Sequence, residues 1–295
     1  MKPIFVVLTD LSPGAHRAAY YAALLAGATG AELRLVYLEA EAVVEPEFGM
    51  LPLPAEYLDQ QQHDVAAALA ELARTLPAPA RVQPAAGGLH DTLQALIRRQ
   101  PPHLLVLGLA PEHDLIDQLL YNYALPVLRD THLPLLLVPP DAALDPSLPR
   151  QVALALDGEA FRLSPAAQRL LALLQGLPAE YTVVHVAGPA GPGGNMRRVV
   201  ETARQAGELP GEAVGFSTYQ LRNASRSAGL VQAAADTQAD LLVLVARPRS
   251  FLASLLPCHL ATAVARSCPV PVLLLPAAAE PDPVTPPSAV DGLLY

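Results

Sequence analysis

A repeat of domain length constrains this chain more than any other feature. Leu104-Leu105-Val106-Leu107 returns as Leu241-Leu242-Val243-Leu244, 137 residues later, and Arg129 to Pro134 returns as Arg266 to Pro271 at the same spacing. Pro111 and Pro248 keep that spacing too. Nearer the start of each copy the spacing is larger: Asp10 matches Asp157 at 147, and Ser12-Pro13 matches Ser164-Pro165 at 152. A block of this size is a whole folding unit rather than a solenoid module of roughly 20–50 residues. The 295 residues therefore hold two domains, each long enough to bury its own core. The unequal spacings give the second copy a longer first loop and a shorter middle, with Gly188–Gly194 where the first copy has a long insertion.

Within each copy, short apolar runs alternate with longer amphipathic segments. Ile4–Leu8, Leu33–Leu38, Arg81–Ala86, Leu104–Gly108 and Leu135–Val138 read as strands. Helices are expected over Ala15–Ala28, Ala55–Leu76, from Gly87-Gly88 to just before Pro101, and Glu112–Arg129. In the second copy the strands are Val152–Leu156, Tyr181–Val186, Ala213–Tyr219, Leu241–Val245 and Val270–Leu275. Its helices are expected near Ala166–Leu174, Met196–Ala206, Ala224–Thr237 and Phe251–Ser267. Ser12-Pro13 and Ser164-Pro165 each combine an N-cap with proline at the first helical position. Strands that alternate with helices imply right-handed crossovers and a parallel sheet covered on both faces. With aromatics at 5% and no Trp, the cores must be built from Ala, Val and Leu. The expected divisions are a first domain at 1–139, a Pro-rich surface linker at 140–149, a second domain at 150–276 and a flexible Pro-rich tail at 277–295. The tail's apolar end, Val290 to Tyr295, either docks on the sheet or stays free.

Charge removes several function classes. A net charge of −9 disfavours a nucleic-acid partner. Residues 1–145 carry 8 basic and 17 acidic groups and residues 146–295 carry 11 of each, so a phosphate would be better received by the second half. No apolar run approaches the ~20 residues of a membrane span, and Ile4–Leu8 is too short for a signal segment. The expectation is a soluble, cytoplasmic protein with no membrane partner. Cys258 and Cys268 have no metal-site spacing and read as small apolar residues in a reducing compartment.

The strand ending in Thr9-Asp10-Leu11-Ser12, the Ala-rich helix after it and Ala31-Glu32-Leu33-Arg34-Leu35 closely resemble the opening of a universal stress protein domain. His132-Leu133-Pro134-Leu135-Leu136-Leu137-Val138-Pro139 and Arg266-Ser267-Cys268-Pro269-Val270-Pro271-Val272 resemble its end. The resemblance implies a Rossmann-like α/β fold in each copy: a five-stranded parallel sheet in the order 3-2-1-4-5 with helices on both faces. It also implies pairing through the last strand, which a tandem would satisfy internally as a pseudo-dimer while leaving room for a homodimer. Nucleotide-binding members carry Gly-x-x-Gly, nine residues, then Gly-Ser or Gly-Thr after the fourth strand. Here the first copy keeps Gly108 but has Pro111 and Tyr121-Asn122 at the later positions; the second has Val245, Pro248, Cys258 and His259. Proline offers no N–H, and a side chain in place of glycine stands where a backbone should approach phosphate. Binding of ATP or AMP in the usual pose is therefore not expected, and no cofactor is.

Asp10 and Asp157 end the first strand of each copy, beside the crevice where open α/β sheets bind ligands. Each either meets a ligand or caps its own turn. Arg247 and Arg249 flank Pro248 at a helix start and either hold an anion or stay solvated or paired. Asn122 and Tyr123 either contact a ligand or pack. The insertion Glu39–Pro54, with Val43, Val44, Phe48, Met50, Leu51 and Leu53, reads as a lid or an interface patch. No nucleophile elbow, Walker loop or metal set appears. These residues point to a non-enzymatic stress-response protein acting through protein contacts or a weakly bound small ligand. The other readings are a nucleotide-binding regulator or weak ATPase using Asp10, Arg247 or Arg249, and a carrier of an apolar metabolite beneath the insertion.

Overall fold

The computed structural model describes residues 2–38, 55–83, 95–99, 101–109, 131–142, 147–187, 196–205, 217–222, 225–247 and 257–278. The first half supplies β1 (Ile4–Thr9), α1 (Pro13–Thr29), β2 (Glu32–Tyr37), α2 (Ala55–Thr75), β3 (Ala80–Gln83), β4 (Leu104–Gly108) and β5 (Leu135–Val138). A short helical segment at 95–99 precedes β4. The second half supplies β6 (Gln151–Ala155), α3 (Pro165–Leu174), β7 (Glu180–Ala187), α4 (Met196–Gln205), β8 (Ser217–Arg222), α5 (Arg226–Asp236), β9 (Leu241–Ala246), α6 (Pro257–Ser267) and β10 (Val272–Pro276).

The repeat is visible in local chemistry. Ser12 and Ser164 cap α1 and α3, each hydroxyl accepting from the amide of Ala15 or Ala167 at 3.2 Å. Pro13 and Pro165 follow, where a missing N–H costs nothing. Alpha-helix α1 ends at Gly30 in the left-handed region, and its buried face is mostly alanine, which lets the helix lie close to the sheet. Some boundaries differ from expectation. The third strand of the second half is Ser217–Arg222, with 213–216 outside the described residues. The last helix is described only from Pro257, and β3 spans Ala80–Gln83. Pairing at the other end runs past residue 276: the Ala277 amide donates to Ala246 O and that of Ala278 to Arg162 O.

Each half has the order 3-2-1-4-5, but the two do not form separate sheets. The strands make one ten-stranded sheet, β3-β2-β1-β4-β5-β10-β9-β6-β7-β8. Strands pair in parallel within each half. At the centre β5 meets β10 antiparallel, with Leu137 opposite Val272, Leu136 opposite Leu273 and Leu135 opposite Leu274. Side chains alternate between faces, so each core layer crosses this seam. One layer joins Leu136 and Leu273 to residues of α1 and α3; the other joins Leu135, Leu137, Val272 and Leu274 to α5 and α6.

The described residues at the two ends of the expected linker are partly buried. Ala142 and Pro149 are buried, and Leu148 packs on the α1–α3 layer. The Ser164 hydroxyl also donates to His132 O at 3.1 Å, from one half to the other. Because β5 and β10 run in opposite directions, the C-terminal ends of the first five strands and of the last five lie at opposite edges of the sheet. The two crevices therefore face away from each other.

His103, just before β4, ties the stability of the first half to pH. Its Nδ1 accepts from the Ile4 amide at 3.4 Å. Burial lowers its pKa from 6.5, helped by Arg169 of the other half and the N-terminal amine. The unfolded chain takes up this proton first as pH falls, so the stability from neutral His103 is complete above 6.5 and lost as pH drops toward the folded value. His103→Gln, whose amide oxygen can still accept from Ile4, should flatten the fall in unfolding free energy from neutral pH to about pH 5, measured by urea titration.

Candidate functional site

At the first crevice the β1–α1 turn is held by its own side chains. Asp10 Oδ1 accepts from the Ser12 amide at 2.9 Å, and Thr9 Oγ1 accepts from the Leu11 amide at 3.1 Å. This turn places Leu11 at φ 63°. Strand β4 then runs directly under the start of α1. A Cβ on Gly108 would lie 2.2 Å from Gly14 O, and one on Gly14 would lie 2.4 Å from Leu109 O. Glycine at 108 thus serves a backbone-on-backbone contact that closes the inner wall of the crevice. Gly14 was not legible as its partner, although one signal existed: the two glycines change together between copies, to Ala166 and Val245.

The second crevice repeats the turn. Asp157 Oδ1 accepts from the Glu159 amide at 3.0 Å, with Gly158 at φ 82° where the first half has Leu11. What fills it is different. Arg247 follows β9, and its guanidinium donates to Asp157 Oδ1 at 2.7 Å, Glu159 Oε2 at 2.6 Å and Glu159 O at 2.8 Å. It also lies 5.9 Å from the centre of the Phe161 ring. This fork is already engaged by two carboxylates of its own half, Asp157 and Glu159. Around it the Thr202 hydroxyl donates to Arg198 O at 2.8 Å and lies 3.3 Å from Gly158 O, while buried His185 Nδ1 is 2.9 Å from Leu156 O. Sequence reasoning passed over His185 and Thr202, because one histidine in an apolar strand and one threonine in a helix carry no spacing signal.

Asp10 and Arg247 cannot act together, since they sit at opposite edges of the sheet. Asn122, Tyr123 and Arg249, and the insertion Glu39–Pro54, lie outside the described residues, as do Pro111 and Pro248. Beside Leu11 a groove of about 340 Å³ runs along α2, lined by Leu11, Gln60, Gln61, Asp64, Val65 and Ala68. Cys268 is buried, and burial pushes its thiol pKa up, away from reactivity. Among the described residues no three His, Cys, Asp or Glu stand close enough to hold a metal ion, and no helix is long and apolar enough to cross a membrane.

Solved structures share this architecture. A universal stress protein from Archaeoglobus fulgidus DSM 4304 superposes with a TM-score of 0.64 at 16% identity, covering 93% of this chain and 96% of that one. A putative universal stress protein from Pseudomonas aeruginosa UCBPP-PA14 gives 0.53 at 17% identity, covering 94% of each. At these identities the likeness establishes the fold alone. The curated proteins give no match. The model of the universal stress protein family matches residues 1–139 and again 149–276, so this chain belongs to that family and carries one family domain in each half.

Proposed function

We propose that this is a non-enzymatic, cytoplasmic stress-response protein that works through protein contacts or a weakly bound small ligand, without ATP in the usual pose. One observation carries the reading: at the second crevice the guanidinium that would attract a phosphate, Arg247, is already bonded to Asp157 and Glu159. A phosphate entering there would have to displace two carboxylates from that cation, at a steep electrostatic cost. The first half offers no basic side chain among the residues that form its turn, Thr9 to Gly14.

Thermal-shift titration with ATP, AMP and cyclic nucleotides tests this. A ligand that binds only the folded chain raises its midpoint in proportion to the logarithm of its concentration. No shift is expected at any concentration with any of them. A saturable shift would replace this reading with a nucleotide-binding regulator, and nucleotide hydrolysis by the same sample would make it an ATPase.

A further inference from the structure

We propose that the groove between Leu11 and the N-terminal half of α2 docks a basic peptide segment of a partner protein, one that presents an apolar side chain between Lys or Arg residues. The proposal rests on the protein-contact reading above and names the partner's chemistry.

Three independent observations support it. The first is an exposed helix face. Leu69 and Leu72 bury the C-terminal part of α2, whereas residues 60–68 include no buried residue and Val65 is only half-buried. Apolar positions 65 and 68 of this stretch face the groove together with Leu11.

The second is Leu11 itself. A leucine at φ 63° holds a left-handed backbone that L-residues rarely adopt. The matching turn in the other half uses Gly158, which adopts such angles freely. The first half keeps an apolar side chain that packs against the core layer and also lines the groove, where the second half keeps none.

The third is charge. Over the described side chains of α2, Asp64 and Glu71 stand against a single Arg74, and Arg74 already pairs with Glu71. Asp64 lines the groove, its carboxylate accepting from the Gln60 side-chain Nε2 at 2.9 Å. It belongs to the half with 17 acidic and 8 basic groups. Such a surface repels phosphate, nucleic acid and anionic lipid and draws in cations. At about 340 Å³ the groove is at the small end for a whole ligand and suits one anchoring side chain of a longer segment.

The test uses the full chain and three synthetic peptides of equal length: lysines around a central phenylalanine, glutamates around the same phenylalanine, and lysines around a central serine. Binding is read by fluorescence anisotropy at low and high salt, and located by amide hydrogen exchange. The Lys/Phe peptide should bind, weaken with salt, and protect residues 60–68. The Glu/Phe peptide should not bind, and the Lys/Ser peptide should bind about tenfold more weakly. Asp64→Lys and Val65→Ser, both on the open side of the helix, should each weaken the Lys/Phe peptide about tenfold without shifting the melting midpoint. Failure of that peptide to bind, equal binding to Asp64→Lys, or protection elsewhere would overturn the proposal. So would a concentration-dependent dimer that Asp64→Lys dissolves, which assigns the groove to a second copy. A nucleotide shift with peptide binding intact would remove only the earlier claim about crevices; loss of peptide binding with no nucleotide shift would remove only this one.

Discussion

Gly108→Ala should destabilise the protein by about 3 kcal/mol, the upper end of what an added methyl costs in a packed interior. The new Cβ would stand 2.2 Å from Gly14 O and 2.7 Å from Ala15 N, both backbone atoms that cannot rotate aside. Either β4 or the first turn of α1 must move by about an ångström, and α1 is fixed by the Ser12 cap and by its buried alanine face. The melting midpoint should fall by roughly 5–10 °C. Gly14→Ala should have a similar effect, because its Cβ would meet Leu109 O. The double variant should lose less than the sum, since one displacement of the helix start relieves both overlaps. Gly27→Ala is the control on the same helix. Its Cβ would touch only the Ala78 Cβ at 3.9 Å, so it should stabilise by about 0.5–1 kcal/mol. Denaturant titration of the four variants separates these outcomes. If Gly108→Ala proved neutral, the contact that closes the first crevice would not exist.

This contact also shows where sequence reading runs out. The repeat, the alternation of strand and helix, and the Ser-Pro caps were legible because each is written in neighbouring residues. Whole strands such as Leu104–Gly108 announce themselves by continuous apolar character, as burial on both sheet faces demands. Gly14 after Ser-Pro looks like an ordinary helix-start residue, and only its spatial neighbour, 94 positions away at Gly108, gives it meaning. Arg247 was legible as a charge but not as a partner of Asp157 and Glu159, some 90 residues earlier. Polar pairing of that kind is set by the fold and leaves no period in the chain. Leu136 and Leu273 likewise read as core, yet nothing local says that they face each other across two halves.

That pairing makes the seam the second place where one substitution should have a large effect. Leu136 and Leu273 are opposite one another on the antiparallel β5–β10 pair, and both are about 1–2% exposed. Leu273→Ala should cost about 3 kcal/mol, within the range for a buried leucine. Leu273→Asp should cost more, because it also places a carboxylate where no partner can reach it. The form of unfolding should change as well. Both core layers run through this seam, so the intact chain should unfold as one cooperative unit. With the seam broken, each half still holds five strands in the order 3-2-1-4-5, and calorimetry should resolve two transitions where there was one. A Leu136→Ala/Leu273→Ala cycle should give a coupling energy of about 1 kcal/mol or more, since the two side chains share one contact. Val82→Asp on the edge strand β3 carries the same new charge at a 37% exposed site and should change stability by no more than about 0.5 kcal/mol. If Leu273→Asp left a single transition with an unshifted midpoint, the halves would be coupled by their helices and linker rather than by the central strands.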